Sequence, residues 1–502
     1  MRLLTWGSIL SLAALSPPAL AEESRDFSRS DWIARNLDRV EFSGGVIPNG
    51  DWRGPAPQEI LAAEAKIRAR RTRRPRLVNS DLLVDEDHLQ PGTQAEPYLH
   101  VNPFDPKHLV AGWQENRYAD GGAQALNVAV SFNRGRTWTE SILPGLTLVA
   151  GGPWQRASDP WVEFGPDGHV FFASLLFNES SPENAVGVSR STDGGRTWED
   201  PVETGWTPVD FNDKEALTVD TFPESPHYGN VYVAWDINVA DATGQTVEAQ
   251  DLVVARSTDG GTSYENPRRV RRGPTNIGAV PRVGPDGTLF LVWAGRRHSD
   301  TALWIYFSRS RNGGRGWSNP RVIARLATLG VPDIRSGDIL PSFAVDPDSS
   351  DLYIVWQDAR WTGVDQITFM ASRDAGRTWS DPQLVSAAPA DAPTFTTSVA
   401  VNGKGQVAVS YYSLQNDPQR SFLVDRYLRI SNNGGESFGR AIRVTRQTFD
   451  IRFAAQARGF FLGDYVGLAG TRNQFHLLWV DTRRFSAALD RRQPDVWTAR
   501  TR

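Results

Sequence analysis

Two short segments gather charged and hydroxylic side chains, and each occurs once: Asp213-Lys214-Glu215 and Gly463-Asp464-Tyr465. Arg156, Asp159, Arg282 and Arg335 fall at comparable places, near the starts of β-like runs. A second set is repetitive: Trp-x-Glu/Asp-x-Arg recurs at Trp113 to Arg117, Trp356 to Arg360 and Trp479 to Arg483. Several of these guanidinium groups brought to one axis would hold an anion through charge-assisted hydrogen bonds. The repetition fits a structural clasp better, a charge pair set beside a Trp, because chemistry is rarely needed more than once. The residues that occur once are therefore the stronger functional candidates, with capping of strand starts as their structural alternative. Other chemistries are excluded. The chain has no Cys, which removes thiol nucleophiles, Cys-ligated zinc, iron–sulfur clusters and disulfides. Its seven His form no His-Glu-x-x-His pair, and no P-loop is present. Asp-rich segments such as 346–351 read as hairpin turns rather than calcium loops, so no metal and no cofactor is implied.

These candidates need a frame, and the sequence repeats one. An octapeptide begins at Ser131, Ser191, Ser257, Ser310, Ser372 and Ser431 and closes on Trp138, Trp198, Tyr264, Trp317, Trp379 and Phe438, with a period close to 60 residues. Its pattern is Ser-x-Asp/Asn-x-Gly-x-x-aromatic. The Asp or Asn oxygen caps backbone N–H groups, and Gly supplies positive φ. Between the octapeptides lies a second unit: a strand beginning near a Pro or an acid, a hairpin, and a strand ending in an aromatic. Copies start at Glu96, Asp159, Glu215, Val280, Pro341, Thr397 and Asp464. The last copy ends at 495–499 without an octapeptide and lacks a fourth strand, which the segment from Arg76 to Asn79 can supply. The expected fold over 76–502 is all-β, a β-propeller of four-stranded blades closed by an N-terminal strand. Seven blades is the count, or six if one unit is irregular. Closure removes the free edges that invite aggregation.

The N-terminus reads differently. Met1-Arg2, an apolar stretch from Leu3 to Leu15 and Ala19-Leu20-Ala21 form a signal peptide over 1–21, so the chain is expected to be secreted or periplasmic. Residues 22–75 form an arm in which 57–72 reads as a helix with a basic end. With 54 Lys+Arg against 58 Asp+Glu the net charge is -4, which argues against a nucleic-acid partner. No stretch is long and apolar enough for a transmembrane helix. Of the 18 Trp, half fall at two repeated positions, which makes them packing residues of the repeat rather than a sugar-stacking platform.

The octapeptide resembles the Asp box, or bacterial neuraminidase repeat, and the chain over 76–502 is similar to sialidase-type propellers. That resemblance implies glycan chemistry on the axial face, opposite the octapeptides. Such enzymes hold a substrate carboxylate with arginines and use a Tyr nucleophile assisted by Glu, with an Asp for proton transfer. Carried onto this chain, Tyr465 would be the nucleophile, Glu215 its base, and Asp159 or Asp213 the acid. Arg156, Arg282, Arg335, Lys214, Asp464, Arg117, Arg360 and Arg483 would be the substrate-binding candidates. Two features depart from the pattern: no Arg-Ile-Pro segment precedes the first octapeptide, and seven units stand where those enzymes have six. The same box also occurs in proteins that are not enzymes. An exported sialidase-like hydrolase acting as a monomer on a glycan or glycoconjugate, and a non-catalytic propeller binding a protein or glycan, both follow from the resemblance.

Overall fold

The computed structural model describes residues 27–37, 39, 75–79, 89–298 and 300–502. The expected signal peptide and the basic helix at 57–72 lie outside the described residues. From 89 onward most of the chain folds into antiparallel four-stranded meanders in which each strand pairs with the next, the first two joined in one sheet; outside them a small three-stranded sheet pairs Ile334–Arg335 in parallel with Phe460–Phe461, which also pairs with Ala455–Gln456. Their first strands are Leu89–Val101, Arg156–Phe164, Phe211–Val219, Asn276–Val283, Ser342–Val345, Thr394–Val401 and Gly467–Gly470. The last meander takes its fourth strand from Arg76–Leu77, with Arg76 opposite Thr498 and Leu77 opposite Trp497. Successive first strands pack against one another, and Gly467–Gly470 packs back against Leu89–Val101.

Local chemistry accounts for the turns. In the second octapeptide Ser191 Oγ accepts from Gly195 N at 2.8 Å, and Asp193 Oδ1 accepts from Thr197 N at 2.9 Å. The other five copies repeat both bonds, with Ser431 and Asn433 in the last one. The second strands carry the packing. Trp113, Trp235, Trp293, Trp356 and Trp479 are wholly buried. Truncating a Trp of this kind to Ala costs about 3–5 kcal/mol. A buried indole N–H needs a partner, and each has one. Trp356 and Trp479 donate to Asp358 and Asp481 at 2.8 Å, Trp113 to Glu115, Trp235 to Asn212 and Trp293 to Asn276.

One element has no counterpart in the sequence reading. Ser28 caps a helix at Arg29–Asn36. Its Trp32 is buried against Leu175, Phe177 and Phe211, and the indole donates to the Gly244 carbonyl at 2.8 Å. This helix is thus docked on the second and third meanders.

Candidate functional site: a buried charge cluster beside an aromatic cavity

Five of the first strands are interrupted by a two-residue bulge at the same register, after Ala95, Ser158, Asp213, Ile277 and Phe395. The first bulged residue takes positive φ in each: Glu96 51°, Asp159 53°, Lys214 52°, Gly278 66° and Thr396 41°. Glycine adopts this conformation freely, whereas the other four residues hold it at a cost of about 1 kcal/mol or more each. Such a bulge re-aims a side chain out of the sheet ladder. Counted from the strand that follows, Leu340 and Tyr465 occupy the same position in the two remaining meanders. These seven equivalent positions divide into a charged side, Glu96, Asp159 and Lys214, and a side of small or uncharged residues, Gly278, Leu340, Thr396 and Tyr465.

On the charged side Lys214 Nζ lies 2.8 Å from Asp159 Oδ1, 2.7 Å from Asp464 Oδ2 and 3.4 Å from Glu96 Oε1. Arg335 grips Asp464 with two bonds, Nε to Oδ1 at 3.0 Å and Nη2 to Oδ2 at 2.5 Å. Gln114 links Glu96 to Ser158 and accepts from Arg117. The guanidinium groups of Arg117 and Arg335 each lie over the Phe461 ring, at 4.6 and 4.4 Å. Gln114, Ser158, Glu96 and Phe461 were not among the sequence candidates.

Burial sorts these groups by protonation. Burial, reinforced by the Asp159 charge, pushes Glu96 up to about 7. Burial likewise raises Asp213, to about 6, against the opposing pull of Lys214. Glu215 is raised well above the carboxylate range by burial and then by Asp159. Asp464 goes the other way: burial opposes its charge, but Arg335 and Lys214 together hold it far below the usual range. Lys214 is raised despite its burial, by Asp159, Asp464 and Glu96. Near neutral pH the cluster therefore presents a fixed carboxylate at Asp464, fixed cations at Lys214 and Arg335, and a neutral acid at Glu215.

The uncharged side opens into a narrow cavity, with room for water of about 60 Å³, that Glu215, Tyr465, Tyr98, Trp161, Arg282 and Leu340 help to line. That space holds only a handful of waters. Tyr98 stacks on Trp161 with centroids 3.9 Å apart, and Tyr465 meets Trp161 edge-on at 5.7 Å. Arg282 donates to the Tyr98 hydroxyl at 2.9 Å and sits 3.5 Å from Glu163. Glu215 is 2 % exposed, and neither of its carboxyl oxygens has a hydrogen-bond partner. Leaving a buried polar group unpaired costs about 1–3 kcal/mol, so a native structure that keeps one invites a functional explanation. The Tyr465 hydroxyl donates to the Pro160 carbonyl at 3.2 Å, and burial followed by the Glu96 and Asp159 charges raises it well above its ordinary value.

The sequence candidates fall into two groups. Asp159, Asp213, Lys214, Glu215, Arg335, Asp464, Tyr465 and Arg117 converge on the cluster or its cavity, and Arg282 lines the cavity wall. Arg156 pairs instead with Asp120 at 2.6 Å and lies over Tyr118. Arg360 and Arg483 each fold back on the Asp two residues before them, Asp358 and Asp481, which also accept the Trp indole N–H. Arg452 makes the same pair with Asp450. In the third Trp-x-acid-x-Arg copy Arg117 does not make this bond but reaches Gln114. Glu96 was recoverable from sequence by aligning the seven first strands on their shared apolar ends, Val101, Phe164, Val219, Val283, Val345 and Val401 among them. Tyr98 and Trp161 occupy one aligned position in that register, two residues after Glu96 and Asp159.

No family model matches the chain, and no curated protein matches it. Solved structures that superpose on it include the Hadza microbial sialidase Hz136, 17% identical over 78% of this chain and 73% of that one, with a TM-score of 0.46. A protein of unknown function from Dyadobacter fermentans DSM 18053 is 14% identical over 88% of this chain and 100% of its own, also at 0.46. A NanB sialidase from Streptococcus pneumoniae is 10% identical over 85% and 98%, at 0.44. Likeness at this level says nothing of chemistry, and the function must be sought in this chain's own residues. No helix among the described residues is long and apolar enough to cross a membrane.

Proposed function

We propose that the seven meanders are the blades of an Asp-box β-propeller and that the axial cavity is the site of an exported, exo-acting glycoside hydrolase. The observation that carries this reading is Glu215: a buried, neutral carboxyl with both oxygens unpaired, facing a cavity walled by Tyr98, Trp161 and Tyr465. An acid kept protonated by its surroundings is what leaving-group protonation requires. Aromatic faces suit the apolar faces of a sugar, and Arg282 offers a cation to an acidic substituent. The small volume favours entry of one terminal residue or its substituent over a continuous chain. In this reading Glu215 gives its proton to the glycosidic oxygen as that bond to the anomeric carbon breaks, while the Tyr465 oxygen bonds the anomeric carbon and its proton passes to Asp159; water then displaces Tyr465, giving one proton to Glu215 while Asp159 returns the other to Tyr465. Asp213 and Asp159 are the remaining carboxylates within the cluster's field.

The test is hydrolysis of a panel of aryl glycosides, sialosides included, by wild type and Glu215→Gln. Removal of a general acid lowers turnover about 10²–10⁴-fold, and the neutral amide keeps the shape of the site. Turnover that survives Glu215→Gln within tenfold would sink the assignment. A second reading, a glycan-binding propeller without catalysis, is favoured by one observation: Arg335 is committed to Asp464 through Nε and Nη2. Glycan binding that Arg282→Gln abolishes, with no hydrolysis of any panel member, would select it.

A further inference from the structure

A second cavity, of about 400 Å³, lies at the seam where the last meander meets the first. Its lining includes Arg76, Arg134, Arg136, Arg500, Arg502 and His476, and no acidic side chain among the described residues. Arg76 belongs to the closing strand, and Arg500 and His476 face each other across the last hairpin. Arg134 and Arg136 come from the first octapeptide turn. Two bonds draw the seam together: Arg76 Nη1 donates to the Arg136 carbonyl at 2.8 Å, and Arg500 Nη1 to the Arg134 carbonyl at 3.3 Å.

Two observations set this cluster apart from ordinary surface arginines. His476 is 1 % exposed, lines the cavity, and its Nε2 has no hydrogen-bond partner. Arg134 stands at φ 63°, at the position where four of the other five octapeptides have Gly and the fifth has Ala375. A long cationic side chain is thus kept in a conformation that glycine adopts freely. This copy also carries neutral Asn133 where three others carry Asp193, Asp259 and Asp374, so its turn brings no carboxylate to the cavity.

We propose that the seam is an oxyanion site that takes a tetrahedral anion, either free sulfate or phosphate or the same group borne as an ester on a sugar. The guanidinium groups supply forked donors matched to such oxygens. Burial, then Arg500 and Arg134, now depress His476 to about 3. A bound anion works against that depression, so the affinity for sulfate holds or rises as pH falls from 8 to 5 and never does the reverse. Because the arginines come from the first and last meanders, the anion also ties the seam shut.

The test is calorimetric titration of the full chain with sulfate, whose charge is constant over pH 5–8, against a chloride background of equal ionic strength. Saturable one-site binding in the millimolar range or tighter is expected. Arg134→Gly separates binding from folding: it should leave the melting temperature equal or higher, since it relieves the left-handed Arg, while weakening sulfate at least tenfold. Arg377→Gln, the same charge change at the Arg136 position of the fifth octapeptide, should leave affinity within twofold. Tighter binding of a sugar sulfate ester than of sulfate identifies the ester as the source, and equal or weaker binding identifies the free ion. No saturable binding, wild-type affinity in Arg134→Gly, or an equal loss in Arg377→Gln would overturn the proposal.

Discussion

Glu96→Gln probes the physics of the axial cluster without touching its shape. Glu96 is 1 % exposed, and its carboxyl is raised from 4.5 to about 7 by burial first and then by the Asp159 charge, with Lys214 and Arg117 opposing and Asp464 adding to the rise. Between those two values the native chain holds a proton that the unfolded chain has released. Stability from this group is therefore fully present below about pH 4.5 and is lost as pH rises through about 7. The shift corresponds to about 3 kcal/mol, at 1.36 kcal/mol for each pH unit between the two values. The amide of the variant does not titrate. The substitution carries a constant offset, because Gln114 and Lys214 meet an amide instead of a carboxyl, but that offset is the same at every pH. The informative quantity is the change in the stability difference between variant and wild type. From pH 5 to pH 8 it should move by about 2.5 kcal/mol in favour of the variant, the remainder of the shift lying below pH 5. Urea unfolding at unit pH steps, followed by fluorescence of the buried Trp residues and checked for coincident far-ultraviolet dichroism, measures it. A stability difference that stays flat from pH 5 to pH 8 would refute the raised carboxyl. A shift in favour of wild type would reverse the sign and show Lys214 to dominate over desolvation.

Other outcomes follow from the same contacts. Glu215→Gln, which exchanges one neutral group for another, should leave stability at pH 7 within about 1 kcal/mol while abolishing hydrolysis; urea titration beside the activity assay checks both. Gly337→Ala should destabilise by about 2 kcal/mol or more, because φ is 60° there and a Cβ would collide with the Asp464 carbonyl; a melting temperature close to wild type would contradict the packing. Asp193→Ala removes the cap on Arg196 and Thr197 backbone N–H groups and should cost about 1 kcal/mol, read from the urea midpoint.

Much of the frame was legible because its determinants are local. An octapeptide turn is held by bonds spanning four residues, from Ser191 to Gly195 or from Asp193 to Thr197, so Ser, Asp and Gly at fixed offsets announce it. The aromatic ends of the second strands, the alternation of meander and turn, and the leftover segment at Arg76 follow from counting. The Trp-x-Asp-x-Arg repeats were also readable as clasps, since Trp356, Asp358 and Arg360 bond within one short stretch. The helix at Arg29–Asn36 escaped notice because its anchors, Arg29, Trp32 and Asn36, are buried by residues far along the chain.

The axial cluster divides along the same line. Sequence alone marked Asp213-Lys214-Glu215 and Gly463-Asp464-Tyr465 as singular, because they break a repeat whose other copies are visible. It did not reveal that Lys214 and Asp464 would meet across 250 residues, or that Asp464 N would approach Glu96 across 368. It also did not distinguish Arg335, committed to Asp464, from Arg282 at the cavity wall. Those outcomes depend on the seven first strands packing side by side, five of them with a bulge in one register. The protonation states depend on it further still. A carboxyl is raised or lowered by how much water is removed around it and by which charges remain, and both are properties of the assembled axis rather than of neighbours in sequence. Glu215 and Asp464 are both buried carboxyls of this cluster, yet burial raises one well above the carboxylate range while Arg335 and Lys214 hold the other far below it.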